Sequence, residues 1–152
     1  SFPIHRPRAS PAFARRDGDT MAAAYAPGAT FTDPAFPGLK AGEPGDMWRM
    51  LTSRSTDLSV ELVSCQADES SGSARWIATY TFAQTGNKVV NDVQSRFRFA
   101  DGLIAEQTDE FDFHRWAGQA LGLKGKLLGG TSFLRKAVQG KARAGLDAFR
   151  AS

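Results

Sequence analysis

The sequence predicts a single α+β domain in which N-terminal helices pack on a curved antiparallel sheet and a helical tail follows. Alternating apolar and polar residues in the middle of the chain indicate long strands, whereas helical spacing of apolar residues precedes and follows them. A length of 152 residues, with 41% hydrophobic and 23% charged residues, suits one domain with one core.

The N-terminal third of the chain predicts two helices and one short strand. Residues 12–26 have helical spacing with a break at Asp17, and Pro27 is expected to end this helix. Ala29–Thr32 is predicted to be a strand, and a loop rich in Pro and Gly follows it. Residues 43–54 are predicted to form the second helix, because their apolar residues recur on one face.

Four strands are predicted in the middle of the chain from apolar and polar alternation. Short turns rich in Gly, Ser, Asn and Asp separate them, as in β-hairpins. We therefore expect an antiparallel meander. The predicted strands are Leu58–Cys65, Ala74–Ala83, Lys88–Phe99 and Leu103–Phe113.

The C-terminal segment differs from the rest of the chain in its charge. Residues 114–152 are predicted to form two helices joined by a glycine-rich segment, Gly122–Gly130. Residues 1–112 carry 11 Lys/Arg and 15 Asp/Glu, a net of −4, whereas residues 113–152 carry eight Lys/Arg and one acid, a net of +7. This tail could meet nucleic acid, an anionic surface or the acidic body of its own protein.

Several functional classes are not favoured by the sequence. The first ten residues contain Arg and Pro but no apolar stretch, so no secretory signal peptide is expected. No apolar run reaches the roughly 18 residues that cross a bilayer, and no membrane partner is expected. Cys65 is the single cysteine, and His5 and His114 lie far apart, so we expect no disulfide, metal or cofactor. The chain is interpreted as cytoplasmic.

Asp109 is the first candidate for a catalytic residue. In the last predicted strand, it shares a face with Gln107 and with apolar residues such as Leu103 and Phe111. Burial raises the pKa of a carboxyl group, which suits a general acid or base. The alternative is an acid at the rim of the sheet that pairs with an arginine.

Asp33 is the second candidate, at the end of the short predicted strand and before Pro34. A catalytic carboxylate is one interpretation of this position. The other is a structural one, since Asp before Pro often organises a turn through its own side chain.

Large apolar side chains on the inner strand faces and on the second helix could form either a solid core or the wall of a ligand pocket. So much aromatic area around a concave sheet favours a cavity. Two neutral polar groups would lie inside it. The predicted ligand-contacting residues are Met47, Trp48, Leu51, Trp76, Tyr80, Phe82, Ser95, Phe97 and Gln107.

Two runs of sequence resemble the nuclear transport factor 2-like superfamily. The run YAPGATFTDP, from Tyr25 to Pro34, is similar to the second helix and first strand of that superfamily. The run FRFADGLIAEQTD, from Phe97 to Asp109, resembles the paired last strands of SnoaL-like polyketide cyclases and limonene epoxide hydrolases. The resemblance covers residues 12–113 and implies a conical α+β barrel with a pocket in the cone, commonly in a homodimer. Residues 1–11 would then be an irregular segment and 114–152 a basic extension.

The resemblance also implies roles for individual residues. Asp33 matches the general base of ketosteroid isomerases, and Asp109 matches an acid of the cyclases and epoxide hydrolases. The residues that act together with these acids in the relatives are replaced in this chain. The position of an acidic hydrogen-bond donor of the isomerases holds Ser95, and the positions of an Asp and an Arg of the epoxide hydrolases hold Ala78 and Trp76. A cyclase-like role needs only one acid or base in an apolar pocket and departs least from this sequence.

Two functional hypotheses follow from these residues. The first is a pocket protein that binds or transforms a small hydrophobic molecule, with Asp109 as a metal-free acid or base of a cyclase, isomerase or hydrolase type. The second is a non-catalytic ligand-binding or scaffolding homodimer. Nucleic-acid binding through the basic tail is a weaker third alternative, because Lys and Arg often simply solvate the outer face of a helix.

Overall fold

The computed structural model describes residues 17–152 and has an α+β fold. The helices and strands are α1 (Gly18–Ala23), β1 (Tyr25–Thr32), α2 (Glu43–Arg54), β2 (Ser59–Ala67), β3 (Ser71–Thr81), β4 (Lys88–Ala100), β5 (Leu103–Glu110), α3 (Phe113–Leu121), α4 (Leu123–Leu128) and α5 (Ser132–Ala151). The predicted α+β class is confirmed. The predicted irregular segment 1–11, and residues 12–16 of the first predicted helix, lie outside the described residues.

Helix α2 has the predicted bounds, and its sequence explains both ends. Gly42 precedes it with a φ of 84°, and Pro44 occupies the first turn, where its missing N–H costs nothing. Acidic residues lie in the first turn and Arg54 lies in the last, so both ends match the helix dipole. Met47 and Met50 are buried as expected.

The prediction for the segment around Tyr25 was wrong. Helix α1 ends at Ala23, and Tyr25 already belongs to strand β1, which runs through Pro27 instead of stopping before it. The pairing of β1 shifts between Tyr25 and Thr30, so Pro27 lies where the ladder is interrupted. The cap of α1 is Asp17, whose side chain accepts a hydrogen bond from the Thr20 amide.

The sheet has the strand order β1-β5-β4-β3-β2, and its pairing is mixed. Strands β2 to β5 form the predicted antiparallel meander, whereas β1 pairs with β5 in parallel. The expectation of a wholly antiparallel sheet is therefore corrected. The sheet is also open, with β1 and β2 as its edges.

Strand β5 contains a bulge that alternation alone did not predict. Asp101 and Gly102 both have positive φ, as the tight turn before β5 requires. The β4–β5 register then shifts, so that one extra residue, Ala105, lies between the pairs of Ile104 and Glu106. As a result Ile104, rather than Leu103, is fully buried.

The tail contains three helices rather than the two predicted. Strand β5 ends at Glu110, and Asp112 caps α3 by accepting a hydrogen bond from the Arg115 amide. The glycine-rich segment expected to be a joint contains the short helix α4. The last helix is α5, in which Leu134 and Leu146 are buried.

Two apolar clusters form the interior, and α5 contacts both. Leu146 belongs to the larger cluster, which contains Phe31, Met47 and Ile104. Leu134 belongs to the second cluster, which contains Val89, Phe113 and Trp116. Burial of each such side chain stabilises the fold by roughly 1.5–3 kcal/mol. The tail therefore stabilises the rest of the chain.

Candidate functional site

Asp109 lies in the interior, on the face of β5 that points to the core. Its exposed fraction is 3%, and Gln107 and Ser95 are buried as well. Ser95 is the cross-strand partner of Asp109, and Gln107 lies two residues before it on the same strand. Strand alternation predicted that these three side chains point inward, and their burial confirms that orientation.

A chain of hydrogen bonds links α2 and β1 to Asp109. The indole Nε1 of Trp48 donates to the Tyr25 hydroxyl at 2.7 Å, and this hydroxyl donates to Oε1 of Gln107 at 2.5 Å. Nε2 of Gln107 then donates to Oδ1 of Asp109 at 2.9 Å. Every donor points toward the carboxylate, so the chain orients Gln107 with its amide nitrogen on Asp109.

A second, shorter chain reaches Asp109 from β3. Nε1 of Trp76 donates to Oγ of Ser95 at 2.8 Å. The Ser95 hydroxyl in turn donates to the Asp109 carboxylate. No buried side-chain nitrogen or oxygen within residues 17–152 lacks a hydrogen-bond partner, so these two chains are fully satisfied.

Burial dominates the protonation behaviour of Asp109. Desolvation raises the pKa of this carboxyl group to about 7, although the hydrogen bonds from Ser95 and Gln107 act in the opposite direction. Burial also raises the pKa of Tyr25, and the nearby charge of Asp109 adds to this. Tyr25 therefore remains a neutral hydrogen-bond donor when Asp109 ionises.

Asp33 has the structural role that its position before Pro34 suggested. Its Oδ1 accepts hydrogen bonds from the amides of Ala35 and Phe36, each at 2.7 Å. Burial raises the pKa of Asp33 to about 6, while these amides and the charge of Arg135 on α5 act to lower it. Asp33 thus organises the turn after β1 and still titrates near neutral pH.

Asp33 acts electrostatically on both Asp109 and Tyr80. The charge of Asp33 adds to burial in raising the pKa of Asp109 and that of Tyr80. The Tyr80 hydroxyl accepts a hydrogen bond from Nε1 of Trp116 at 2.9 Å. Two carboxylates and one tyrosine therefore interact through a common low-dielectric region.

The structure divides the predicted ligand-contacting apolar residues between two places. Met47, Trp48 and Phe97 are buried in the larger cluster, and Leu51 and Trp76 pack against it. Tyr80 and Phe82 pack instead against the second cluster, with Phe82 edge-on to Trp116 at 5.4 Å between ring centroids. Contact of any of these residues with a ligand stays a prediction.

Sequence reasoning missed two residues of this site, Tyr25 and Trp116. Tyr25 was assigned to a helix, so its approach to Gln107 could not be foreseen. Trp116 lies beyond the predicted pocket domain, in the first turn of α3. A tryptophan four residues after Asp112 on an apolar helix face was the available signal that α3 packs on the sheet.

Neither a metal-ligand cluster nor a membrane-crossing helix is found in the described part of the chain. Within residues 17–152, no group of three or more His, Cys, Asp or Glu side chains could hold a metal ion. None of the helices described is both long and apolar enough to span a bilayer.

Comparison with known proteins identifies the family. The profile of the SnoaL-like domain family matches residues 8–107, about two thirds of the chain. The chain therefore belongs to the SnoaL-like domain family. No curated protein matches the chain by sequence.

Solved structures share the nuclear transport factor 2-like fold. An LEH-like epoxide hydrolase from M. tuberculosis is 22% identical, with a TM-score of 0.62 over 80% of this chain and 94% of its own. IdmH from Streptomyces antibioticus, a candidate polyketide cyclase, is 20% identical, with a TM-score of 0.61 over 78% and 100%. A protein from Catenulispora acidiphila with a ketosteroid isomerase-like fold is 13% identical, with a TM-score of 0.65 over 80% of this chain and 98% of its own. These likenesses establish the fold.

Proposed function

We propose that this protein binds a small hydrophobic molecule and transforms it with Asp109 as general acid or base. The observation that carries the proposal is the environment of Asp109: 3% exposed, hydrogen-bonded to neutral donors, and with a pKa raised to about 7. A surface acid paired with an arginine would have the opposite shift. This environment favours the catalytic interpretation of the residue.

A carboxyl group with a pKa near 7 can either accept or donate a proton at neutral pH. The ionised form accepts a proton from a carbon or hydroxyl of the substrate, and the resulting acid returns it to another atom. General acid–base catalysis of this kind contributes about 10²–10⁴-fold to a rate. Ser95 and Gln107 hold the carboxylate in one orientation, so they are positioning residues in this proposal.

A cyclase-like proton transfer is the reaction type we favour. The epoxide hydrolase resemblance would need an Asp and an Arg at positions that hold Ala78 and Trp76, and the indole of Trp76 is already bonded to Ser95. The isomerase resemblance would need an acidic donor at Ser95. One carboxyl group that moves a proton within an apolar site requires neither, and Asp33 could supply a second titrating group.

A non-catalytic ligand-binding or scaffolding homodimer is the alternative. The observation that favours it is the structural role of Asp33. Its Oδ1 accepts hydrogen bonds from two backbone amides and stabilises the turn after β1. In that case Asp109 would select a ligand that carries a hydrogen-bond donor, and no turnover would occur.

The replacement Asp109→Asn tests the proposal directly. The purified chain would be incubated with hydrophobic ketones, epoxides and esters, and both turnover and ligand-induced shifts of the melting temperature would be measured. We expect the variant to fold, to keep ligand-induced stabilisation and to lose at least about 10²-fold in kcat. Asp92→Asn is the control, because Asp92 is exposed and paired with Arg75.

Three outcomes discriminate the hypotheses. Turnover that disappears in Asp109→Asn and persists in Asp92→Asn supports the acid–base role. Ligand binding without turnover in the wild-type chain supports the binding protein. Turnover that survives in Asp109→Asn contradicts the proposal.

A further inference from the structure

An unusual group of exposed apolar side chains lies where α4 joins α5. Leu123 is 70% exposed, Leu127 is 71% exposed, Leu128 is 37% exposed and Phe133 is 74% exposed. Leu123 and Leu127 are four residues apart in α4, so they lie on one face of that helix. We call these four residues the apolar corner.

The apolar corner lies in a stretch of the chain without acids. From Phe113 to Leu146 the sequence contains no Asp or Glu. Lys124 and Lys126 lie between Leu123 and Leu127 in α4, and Lys136 follows Phe133 by less than one turn; all three are exposed. The cations of this stretch are Arg115, Lys124, Lys126, Arg135, Lys136, Lys141 and Arg143.

Other basic residues of the tail already have partners, which separates them from this surface. Arg143 and Arg150 on α5 form ion pairs with Glu43, and Arg150 also pairs with Asp46. The Arg135 guanidinium lies over the ring of Phe113 at 5.4 Å from its centroid. The lysines around the apolar corner face solvent instead.

We propose that the apolar corner and its lysines dock the protein on the surface of an anionic lipid bilayer. Exposed Leu and Phe side chains can insert among acyl chains while lysines next to them bind lipid phosphates. This placement is peripheral and needs no membrane-spanning helix. It is independent of the function proposed for Asp109.

Charge complementarity favours a lipid surface over a second copy of this chain. A two-fold interface through the apolar corner would place the same patch against itself, so lysines would meet lysines. The composition of the patch favours lipid over single-stranded nucleic acid, since protein surfaces that bind single strands combine cations with several aromatic rings. The apolar corner has one aromatic ring and three leucines, which match hydrocarbon.

Vesicle sedimentation tests the proposal with the whole chain. The probes are vesicles of phosphatidylcholine and vesicles of phosphatidylcholine mixed with an equal amount of phosphatidylglycerol. We expect retention on the anionic vesicles only, and weaker retention as salt is added. The double variant Leu123→Ser, Leu127→Ser should bind about tenfold or more weakly. Its control is Val63→Ser, Val90→Ser, since both valines are exposed on the sheet.

A charge variant and two further measurements complete the test. Lys124→Gln, Lys126→Gln should weaken vesicle binding about tenfold, because each lysine near an anionic surface strengthens binding severalfold. Circular dichroism should give the wild-type spectrum and melting temperature for all variants. The mass in solution and retention on DNA and RNA would be measured for the same proteins.

Each outcome of these measurements either supports or overturns docking on an anionic bilayer. Loss of vesicle binding in both the leucine and lysine variants, with the valine control unchanged, supports the proposal. Absence of retention on anionic vesicles overturns it, as does retention that the leucine variant leaves intact. A change of mass in the leucine variant without vesicle binding would assign the surface to a second copy. Nucleic-acid retention that only the lysine variant weakens would also overturn the proposal.

Discussion

Two buried carboxylates of this fold have opposite protonation behaviour. Glu43 is 7% exposed and Asp109 is 3% exposed, so burial alone does not separate them. Glu43, at the start of α2, receives Arg143 and Arg150 from α5, and the hydrogen bond from Arg143 is the main cause of its lowered pKa. Asp109 receives only neutral donors at Ser95 and Gln107, and desolvation raises its pKa to about 7.

The difference lies in the charge of the partners and therefore in what each carboxylate can do. Glu43 stays ionised and joins α5 to α2, which is a structural task. Asp109 can gain and lose a proton near neutral pH, as an acid–base group must. The basic tail meets the acidic body of its own protein at Glu43, one of the three partners that its charge suggested.

The largest expected effect is on stability, in Asp109→Asn. An unfolded Asp ionises near pH 4 and the folded Asp109 near 7, so the unfolded state loses its proton first. The wild-type free energy of unfolding should therefore fall as pH rises from about 4 to about 7. Asn has no such cost and should be more stable above pH 7 by on the order of 4 kcal/mol, since each pKa unit corresponds to about 1.4 kcal/mol. Urea unfolding at several pH values measures this, and a gain that is equally large at pH 4 would contradict the assigned cause.

Ser95→Ala should raise the pKa of Asp109. The serine hydroxyl stabilises the ionised carboxylate, so its removal favours the protonated form. The expected shift is about one pH unit, the effect of one hydrogen bond to a charged group. The titration of the carboxyl carbon of Asp109 by NMR measures it. Ser73→Ala on β3 serves as the control, and an unchanged midpoint in Ser95→Ala would mean that Ser95 does not act on Asp109.

Glu43→Gln should lower stability by about 1 kcal/mol at neutral pH, because solvent screens the two half-exposed arginines. The pKa of Glu43 is depressed, so its stabilising contribution is present above the unfolded pKa and is lost as pH falls through the folded one. The difference between wild type and variant should thus vanish in acid. The exposed Glu61→Gln is the control, and a loss that persists in acid would indicate a packing defect instead.

The smallest expected effect is that of Asp33→Asn on Asp109. Removal of the Asp33 charge should lower the pKa of Asp109 by a few tenths of a pH unit, the opposite direction to Ser95→Ala. Asn can still accept the hydrogen bonds from Ala35 and Phe36, so the turn should remain. The same NMR titration measures the shift, and a rise in the midpoint would contradict the proximity of the two carboxylates.

Local sequence patterns predicted much of the fold and the centre of the site. Alternation along β4 and β5 placed Ser95, Gln107 and Asp109 inward, since the period of a strand depends only on neighbouring residues. The helix at residues 43–54 followed equally from its apolar spacing. The same kind of information identified Asp33 as a turn former.

Features that depend on distant segments were not predictable in this way. Tyr25 belongs to a strand because β1 pairs with β5, and this pairing overrides the helical appearance of its neighbours. The bulge at Ala105 depends on the register against β4. The contact of Trp116 with Tyr80 depends on how α3 packs on the sheet. Each of these is a tertiary effect.

The parallel pairing of β1 with β5 has a consequence for folding. Tyr25 and Gln107 are 82 positions apart, whereas β2 to β5 are joined by short hairpins. Contacts between residues so distant in sequence close the largest loops and form slowly. The hairpins are therefore expected to assemble before β1 docks, and the hydrogen-bond chain from Tyr25 through Gln107 to Asp109 is complete only once β1 has docked.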